Sequence, residues 1–516
     1  MGAVLTGPAD WSPPTSRSLL VWAADRYRDA EAVVHRDRRV SFEALLDGSC
    51  RLAAGLSRRG IRRGDRVGMW LPNWPEWILA RHALGILGAV AVPINTRYKA
   101  DELAYCLGQS ECRALLSADR FLGIDFRATV DSVRDRLPGL EWTAYPDEIA
   151  VMLAGPPLRP GEWPEVSPDD VGYMIYTSGT TSFSKGVQLT HRNLSRNTVA
   201  AGRAVDLRAG ERMLIAVPLF SSFGTCHLSF AALSAGACLV LQDHFDPPAT
   251  LDLLERERIT YLPCVDTMLL AMAETGCVED HDLSRLTRIM AAPLNPAGIA
   301  VARERFKAAQ VWTGYGLTEA SAISGVHLAR GPEDEALFRP LPGIEIRVVD
   351  PETGTRRSVG QEGEIQVRGG HVTSGYYKMP EQTAALFAPD GWLRTGDLGR
   401  EESPGLFRFL SRLKEVLKTG GFLVAPLEVE AVLGAHPAVA EACVVPRPDA
   451  RLGEVGVAFV QLRPGASGTA DELLRLCATR LANFKVPREI VFVDDYPRTA
   501  TGKIQRARLR ERLLGA

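Results

Sequence analysis

Residues 176–191 read Tyr-Thr-Ser-Gly-Thr-Thr-Ser-Phe-Ser-Lys-Gly-Val-Gln-Leu-Thr-His. Small hydroxyl residues and glycines dominate until Lys185, so many N–H and O–H donors converge with few bulky side chains between them. A polyphosphate asks for such a loop. A Walker loop would place glycine at Ser184 and a hydroxyl residue at Gly186, and neither is present. A Ser/Thr-rich hairpin tip has the same composition, so the loop alone leaves both readings open.

Four other segments carry chemistry-bearing residues at close spacing. Thr313 to Glu319 (TGYGLTE) puts an aromatic ring, a hydroxyl and a carboxylate on one turn; as a G-x-G-x-x-G fingerprint it fails at Glu319. Asp390 to Asp397 (DGWLRTGD) ends in an Asp directly after Gly396, where one carboxylate could accept from the two adjacent hydroxyls of a ribose. Arg412 to Glu430 runs through charged residues into Gly420-Gly421. Pro497 to Arg506 holds Lys503 in a Gly/Thr loop, which can carry a positive charge into a closed site.

The elements that must position these segments alternate. Ser41 is the expected N-cap of a helix bearing Phe42, Leu45, Leu46, Leu52 and Leu56 on one face up to Gly60. Asp65 to Leu71 reads as a strand, Asn73 and Pro75 as the start of an amphipathic helix towards Gly88, and Ala89 to Ile94 as a strand. Val171 to Ile175 and Val187 to Leu189 flank the glycine-rich loop as strands, and Thr190 caps the next helix. Strand then helix or turn recurs to Thr313, which argues for parallel sheets covered on both faces. From about Gly343 the apolar residues alternate with polar ones, in the antiparallel manner. The Arg-rich tail from Arg498 to Arg512 reads as a solvated helix face.

The chain has 516 residues, so more than one domain is expected. A net charge of −2 leaves no broadly basic surface for nucleic acid or anionic membrane. Nine cysteines without C-x-x-C pairs read as buried thiols of a reducing, cytoplasmic compartment. The longest apolar run, Trp77 to Ile94, is broken by Arg81, His82 and Pro93, so no membrane span is expected, and the start of the chain lacks a signal-peptide pattern.

Taken together and in this order, the five segments resemble those of the adenylate-forming superfamily, which contains acyl-CoA synthetases, aryl-CoA ligases, firefly-type luciferases and peptide-synthetase adenylation domains. The likeness runs from about Ser41 to Arg506. It implies an α/β chain: a large N-terminal domain, 1–413, with two αβ layered sheets and a small β-barrel-like subdomain, and a small mobile α+β domain, 414–516, hinged at Lys414. It implies that Thr177, Ser178, Gly179, Thr180, Thr181 and Lys185 hold the β- and γ-phosphates of ATP, that Thr318 contacts phosphate and that Glu319 holds Mg²⁺. Tyr315, between Gly314 and Gly316, would flank the adenine with Ala291, Ala292 and Pro293; Asp397 and Arg412 would hold the ribose. Lys503 would bridge substrate carboxylate and α-phosphate. Gly420, Gly421 and Phe422 would admit a pantetheine arm after the small domain rotates, Arg97 would meet CoA phosphates, and Ser221, Phe223 and Gly224 would line the acyl and thiol path.

Two positions in the loop depart from the family's pattern: Ser182 stands where glycine is usual and Ser184 where proline is. Ser221 stands in place of a histidine and Met290-Ala291 in place of Gly-Gly. The expected activity is ligation of a hydrophobic carboxylic acid to CoA through an acyl-adenylate, with ATP, Mg²⁺ and CoA, and with adenylation slowed by the altered loop. One alternative is thioesterification only, fed with an adenylate by a partner enzyme; another is a stand-alone adenylation enzyme loading a carrier protein. A homodimer is a further expectation. The pocket segments Phe223 to Ser229 and Ala320 to Ser324 offer no cation for a second carboxylate and suit a bulky aliphatic or polycyclic acid.

Overall fold

The structure, a computed structural model, describes residues 14–177, 184–292, 294–419, 422–449, 451–481, 483–498 and 504–514. Two large sheets make the N-terminal part. In the first, Glu31–His35, Cys238–Leu241, Arg212–Ile215, Tyr261–Cys264, Arg288–Ala291 and Gln310–Tyr315 lie parallel in that spatial order. The second runs Gly375–Tyr376, Lys185–Thr190, Val171–Thr177, Val90–Pro93, Arg66–Trp70, Ala114–Ser117, Trp142–Ala144, parallel from Val171–Thr177 onward. The short strands Val90–Pro93, Ala114–Ser117 and Cys238–Leu241 are buried on both faces, as predominantly apolar runs demand.

Pro75–Leu87 is a helix, but not the amphipathic one the sequence suggests: every residue but Glu76 is buried. It touches strands of both sheets, so it has no solvent face to keep polar. Gly88 ends it in the left-handed region, φ 66°. Asn73 does not cap it. Its amide instead donates to the carbonyls of Val217 (2.9 Å) and Gln242 (3.0 Å), and its oxygen accepts from Leu219 N (2.8 Å). One buried side chain thus fixes where the chain leaves the first sheet towards Ser221.

Beyond Gln310–Tyr315 the first sheet turns antiparallel through Gly325–Ala329, Leu337–Pro340, Leu406–Arg412, Leu393–Ser403, Glu362–Gly369 and Ile344–Val349. These strands curl so that Ile344–Val349 comes back beside Leu337–Pro340. The barrel-like space fills with Tyr315, Phe338, Ile346, Val348, Ile365, Val367, Leu393 and Phe407.

The final sheet orders Phe422–Val424, Leu417–Thr419, Gly453–Leu462 and Val439–Asp449, with Glu489–Phe492 parallel to Gly453–Leu462. Alternation sorts its core. Val444 faces the helices Pro426–Gly434 and Ala470–Arg480 with Leu433 and Leu473, while Cys443 and Val445 face Tyr496 and Leu509. The tail helix Arg506–Leu514 is not simply solvated. Arg506 points inward, paired with both oxygens of Glu430 (2.5 and 2.8 Å) and lying 3.2 Å from Glu415.

Candidate functional site

The two strands flanking the glycine-rich loop pair antiparallel, with Thr177 opposite Lys185. Ser178, Gly179, Thr180, Thr181 and Ser182 lie outside the described residues. Gly375–Tyr376 adds a third, two-residue strand, with Tyr376 opposite Val187. The Lys185 ammonium sits 4.9 Å over the Tyr376 ring, and the phenol of the same ring donates to Glu319 Oε1 at 2.8 Å. One aromatic side chain therefore joins the cation at the loop's foot to the Glu319 carboxylate. Burial, and then the Glu319 charge, push the Tyr376 phenol up, so it remains a donor.

Thr318 and Glu319 are presented by a strained turn. A 3₁₀ turn, Thr318–Ala320, is followed by Ser321 and Ala322 with φ of 55° and 78°. Two successive left-handed side-chain residues are costly and need external support. Asn197 supplies it, donating to Ser321 O (3.1 Å) and Ile323 O (2.8 Å), and the Ser321 hydroxyl donates to His371 O (2.7 Å). The Ala322 carbonyl then presses on Gly316, where an added Cβ would lie 2.0 Å from it. Gly316→Ala should therefore displace the turn, costing about 1–3 kcal/mol, read as a lower melting temperature together with weaker Mg·ATP binding. On the far side, the Thr318 hydroxyl donates to Ser222 Oγ at 3.0 Å.

Asp397 lies beneath this turn and is 1% exposed. The Tyr315 phenol donates to its Oδ2 at 2.7 Å. Arg412 Nη1 is 2.9 Å from Oδ1, but at an angle that leaves this oxygen without a hydrogen-bond donor. An acceptor with an open lone pair fits a ribose hydroxyl. The Tyr315 ring stacks on Phe338 (4.4 Å, 19°) within the barrel-like core. Burial raises the Asp397 carboxyl to about 6; Arg412 and Tyr315 pull it down, and Glu319 adds to the rise.

The sign follows from linkage. A carboxyl raised by folding from about 3.9 gives stability below that value and loses it as pH rises through about 6. At neutral pH the charged group is thus held at a cost, as a ligand would use it. Adenosine affinity should fall as pH drops through about 6 and be flat above 7. Calorimetric titration with adenosine, whose diol comes without a phosphate titrating in the same window, checks this; Asp397→Asn should bind weakly with no inflection.

Ser221 satisfies its own turn: its hydroxyl donates to Pro218 O (2.7 Å) and accepts from Gly224 N (3.1 Å). It lies just ahead of a π-helix, Phe223–Ser229, a rare form that recurs at functional sites. At the far end Ser229 meets the buried guanidinium of Arg81, which also contacts His82 Nε2 (2.8 Å) and lies 4.1 Å over Phe230. Arg81 thus places a buried cation against the end of the first pocket segment, outside the segment itself. Met290 accepts from the Tyr261 phenol (3.1 Å), and its methyl fills the space beside Gly314. Ala292 borders the same glycine, and Pro293 lies outside the described residues.

Lys503, Gly420 and Gly421 also lie outside the described residues; Phe422 opens its short strand. Arg97 is exposed on a turn whose amide bonds Asn95 Oδ1. Lys414 sits in the turn between Arg412 and the last sheet. Tyr376, Ser222 and Asn197 escape sequence reasoning, as does the inward pairing of Arg506. Only Tyr376 leaves a signal, an aromatic pair after Gly375.

The profile of the AMP-binding enzyme family matches residues 20–377, and that of its C-terminal domain matches 428–503. A 3-[(3aS,4S,7aS)-7a-methyl-1,5-dioxo-octahydro-1H-inden-4-yl]propanoyl:CoA ligase of Rhodococcus jostii is 35% identical, over 97% of this chain and 99% of its own. The ATP-bound structure of MatB from Rhodopseudomonas palustris is 30% identical with a TM-score of 0.88, covering 96% of this chain and 98% of that one. The anthranilate CoA ligase AuaEII, solved with anthranoyl-AMP, is 27% identical with a TM-score of 0.89 and 99% of both chains covered.

Proposed function

The chain belongs to the AMP-binding enzyme family, and from that premise we propose which of its residues carry acyl-CoA ligation and which acid it takes. In the first half-reaction a carboxylate oxygen attacks the α-phosphorus of ATP, an acyl–O–P bond forms and pyrophosphate leaves. In the second, the CoA sulfur attacks the carbonyl carbon, AMP leaves with the electron pair of the C–O bond, and the thiol proton passes to solvent.

The observation that carries the residue assignment is the Lys185–Tyr376–Glu319 bridge. Lys185 with Thr177 and the hydroxyl residues between them would bind the terminal phosphates, and Thr318, aligned by Ser222, would donate to one of them. Glu319 has one oxygen engaged by Tyr376 and would hold Mg²⁺ with the other; one carboxylate plus substrate phosphates is an ordinary magnesium site. The ion would supply neutralisation of phosphate charge. Asp397 and Arg412 would hold the ribose. Lys503 would offset the repulsion of two anions brought together. Residues 1–413 and 414–516 would move as two bodies about Lys414, bringing Gly420, Gly421 and Phe422 to the adenylate, with Arg97 on the CoA phosphates. Nine free thiols suit a cytoplasmic enzyme.

For the acid we favour a bulky, ring-bearing propanoate. The Rhodococcus relative is named for a bicyclic dione acid, and the segments Phe223 to Ser229 and Ala320 to Ser324 hold small or apolar residues suited to a bulky ring. The test is a panel of bicyclic keto acids, straight-chain fatty acids and hydroxycinnamates, read by pyrophosphate release and by mass of the thioester. Turnover of straight-chain acids alone would sink the ring-acid reading. Absence of pyrophosphate exchange with every acid would sink adenylation itself.

A further inference from the structure

We propose that Tyr105, assisted by Tyr98, pins Ser184 and thereby sets the affinity of this chain for the β- and γ-phosphates of ATP. The inference rests on the nucleotide reading above and adds two positioning residues to it. Lys185 is the first residue of its strand and pairs across to Thr177, so Ser184 lies just off the ladder. The Tyr105 phenol donates to the Ser184 carbonyl at 2.8 Å. The Tyr98 phenol meets the Ser184 hydroxyl, and burial pushes that phenol up to about 12.

Tyr105 belongs to the helix Ala100–Gln109, and one turn further on Gln109 shares its face. Gln109 accepts from the Tyr176 phenol and donates to the Tyr377 carbonyl at 2.9 Å. Tyr105 also packs edge-on against Tyr176, with ring centroids 6.4 Å apart. Tyr176 precedes Thr177 on one foot of the loop and Ser184 precedes Lys185 on the other. Tyr377 follows the tyrosine that joins Lys185 to Glu319. A single helical face therefore grips both feet of the loop and the strand that supports its cation and carboxylate.

The loop gains from this what its own sequence does not give. Serine leaves φ at 184 unrestrained, whereas a proline ring would fix it. A hydrogen bond to the Ser184 carbonyl restrains the peptide into Lys185 from outside. Tyrosine phenols buried at a sheet edge also find partners for purely structural reasons, so the readout must separate the two roles. AMP shares the adenosine and α-phosphate of ATP but lacks the groups that the loop would hold.

Calorimetry with Mg·ATP and with AMP makes that separation. Tyr105→Phe should weaken Mg·ATP about 3- to 10-fold, the worth of one neutral hydrogen bond, and leave AMP within about twofold. Tyr98→Phe added to it should weaken Mg·ATP further, again sparing AMP. Ser184→Pro in the Tyr105→Phe background should recover part of the Mg·ATP binding, because fixing φ stiffens the same residue by another route. Equal loss for both nucleotides, an unchanged Mg·ATP affinity, or failure of the proline to rescue would each overturn the proposal. A parent chain that binds neither nucleotide would overturn the nucleotide reading instead.

Discussion

Glu319→Gln should lower ATP–pyrophosphate exchange about 100- to 1,000-fold while adenosine affinity stays unchanged. The substitution keeps the shape and the hydrogen bond from Tyr376 but removes the charge. Pyrophosphate departs with growing negative charge, and a neutral amide holds a divalent cation poorly, so the loss falls on the adenylation step. Tyr376→Phe should be milder, about 10-fold, because the carboxylate stays and loses one donor. Adenosine is the control, since it has no phosphate for this carboxylate to serve. A comparable loss of adenosine affinity in Glu319→Gln would mean that the turn Thr318–Ala320 had moved. The experiment would then speak to folding and not to charge.

Lys503→Ala should reduce adenylation by a similar factor of about 100 to 1,000 and spare the second half-reaction. The reason is electrostatic. Carboxylate and α-phosphate repel as they close, and a lysine between them cancels charge at the point where it is greatest. Once the adenylate exists, one of those charges has gone. Synthetic acyl-adenylates of the panel acids, supplied with CoA, should therefore be converted by Lys503→Ala at within about threefold of the parental rate. Equal damage to both half-reactions would contradict the role assigned to Lys503.

Much of the frame is legible in the sequence because its signals are local. Ser41 and Thr190 cap helices with their own side chains, Gly88 ends one in a left-handed turn, and Val171–Thr177 and Lys185–Thr190 are strands on either side of a loop too polar to join them. The antiparallel pairing of Ile344–Val349 with Glu362–Gly369 is foreshadowed by Ile344, Ile346 and Val348 alternating with Glu345 and Arg347. Asn73 shows where locality fails. It stands where a helix cap would, yet its amide ends on carbonyls of residues 217 and 242. Arg81 reads as a break in an apolar run, and only the closeness of a π-helix makes it a neighbour of Ser229.

The site is legible as residue types and illegible as a network. Thr318, Glu319, Asp397 and Arg412 stand out as hydroxyl, carboxylate and cation at odd places. Tyr376 does not, since a two-residue strand has no period, and its value comes from pairing with Val187. Asn197 looks like an ordinary helix residue until its amide is found supporting two carbonyls of a strained turn. The departures at Ser184 and Met290 look like damage in one dimension. In three, each has neighbours fitted to it: Tyr105 on the Ser184 carbonyl and Tyr261 on the Met290 sulfur.

The contacts around residues 412–416 bear on how the small domain could travel. Leu413 N is bonded to Gly396 O, and Arg412 is paired with Asp397, so the chain is moored to the large domain up to that point. Glu415 lies beside Arg506, which is itself fixed to Glu430, while Val416 still packs with Leu398 and Leu410. The pivot proposed at Lys414 thus lies between an anchor on Gly396 and Asp397 and one on Arg506. Anchors so close on either side suit a swing about a point better than a slide, much as a ball joint does. Two main-chain bonds, Glu415 N and Val416 N to Arg412 O, span that joint and act as its latch. If the small domain swings about this point, glycines inserted beside Lys414 should loosen its orbit and blur the centre that the two half-reactions would share.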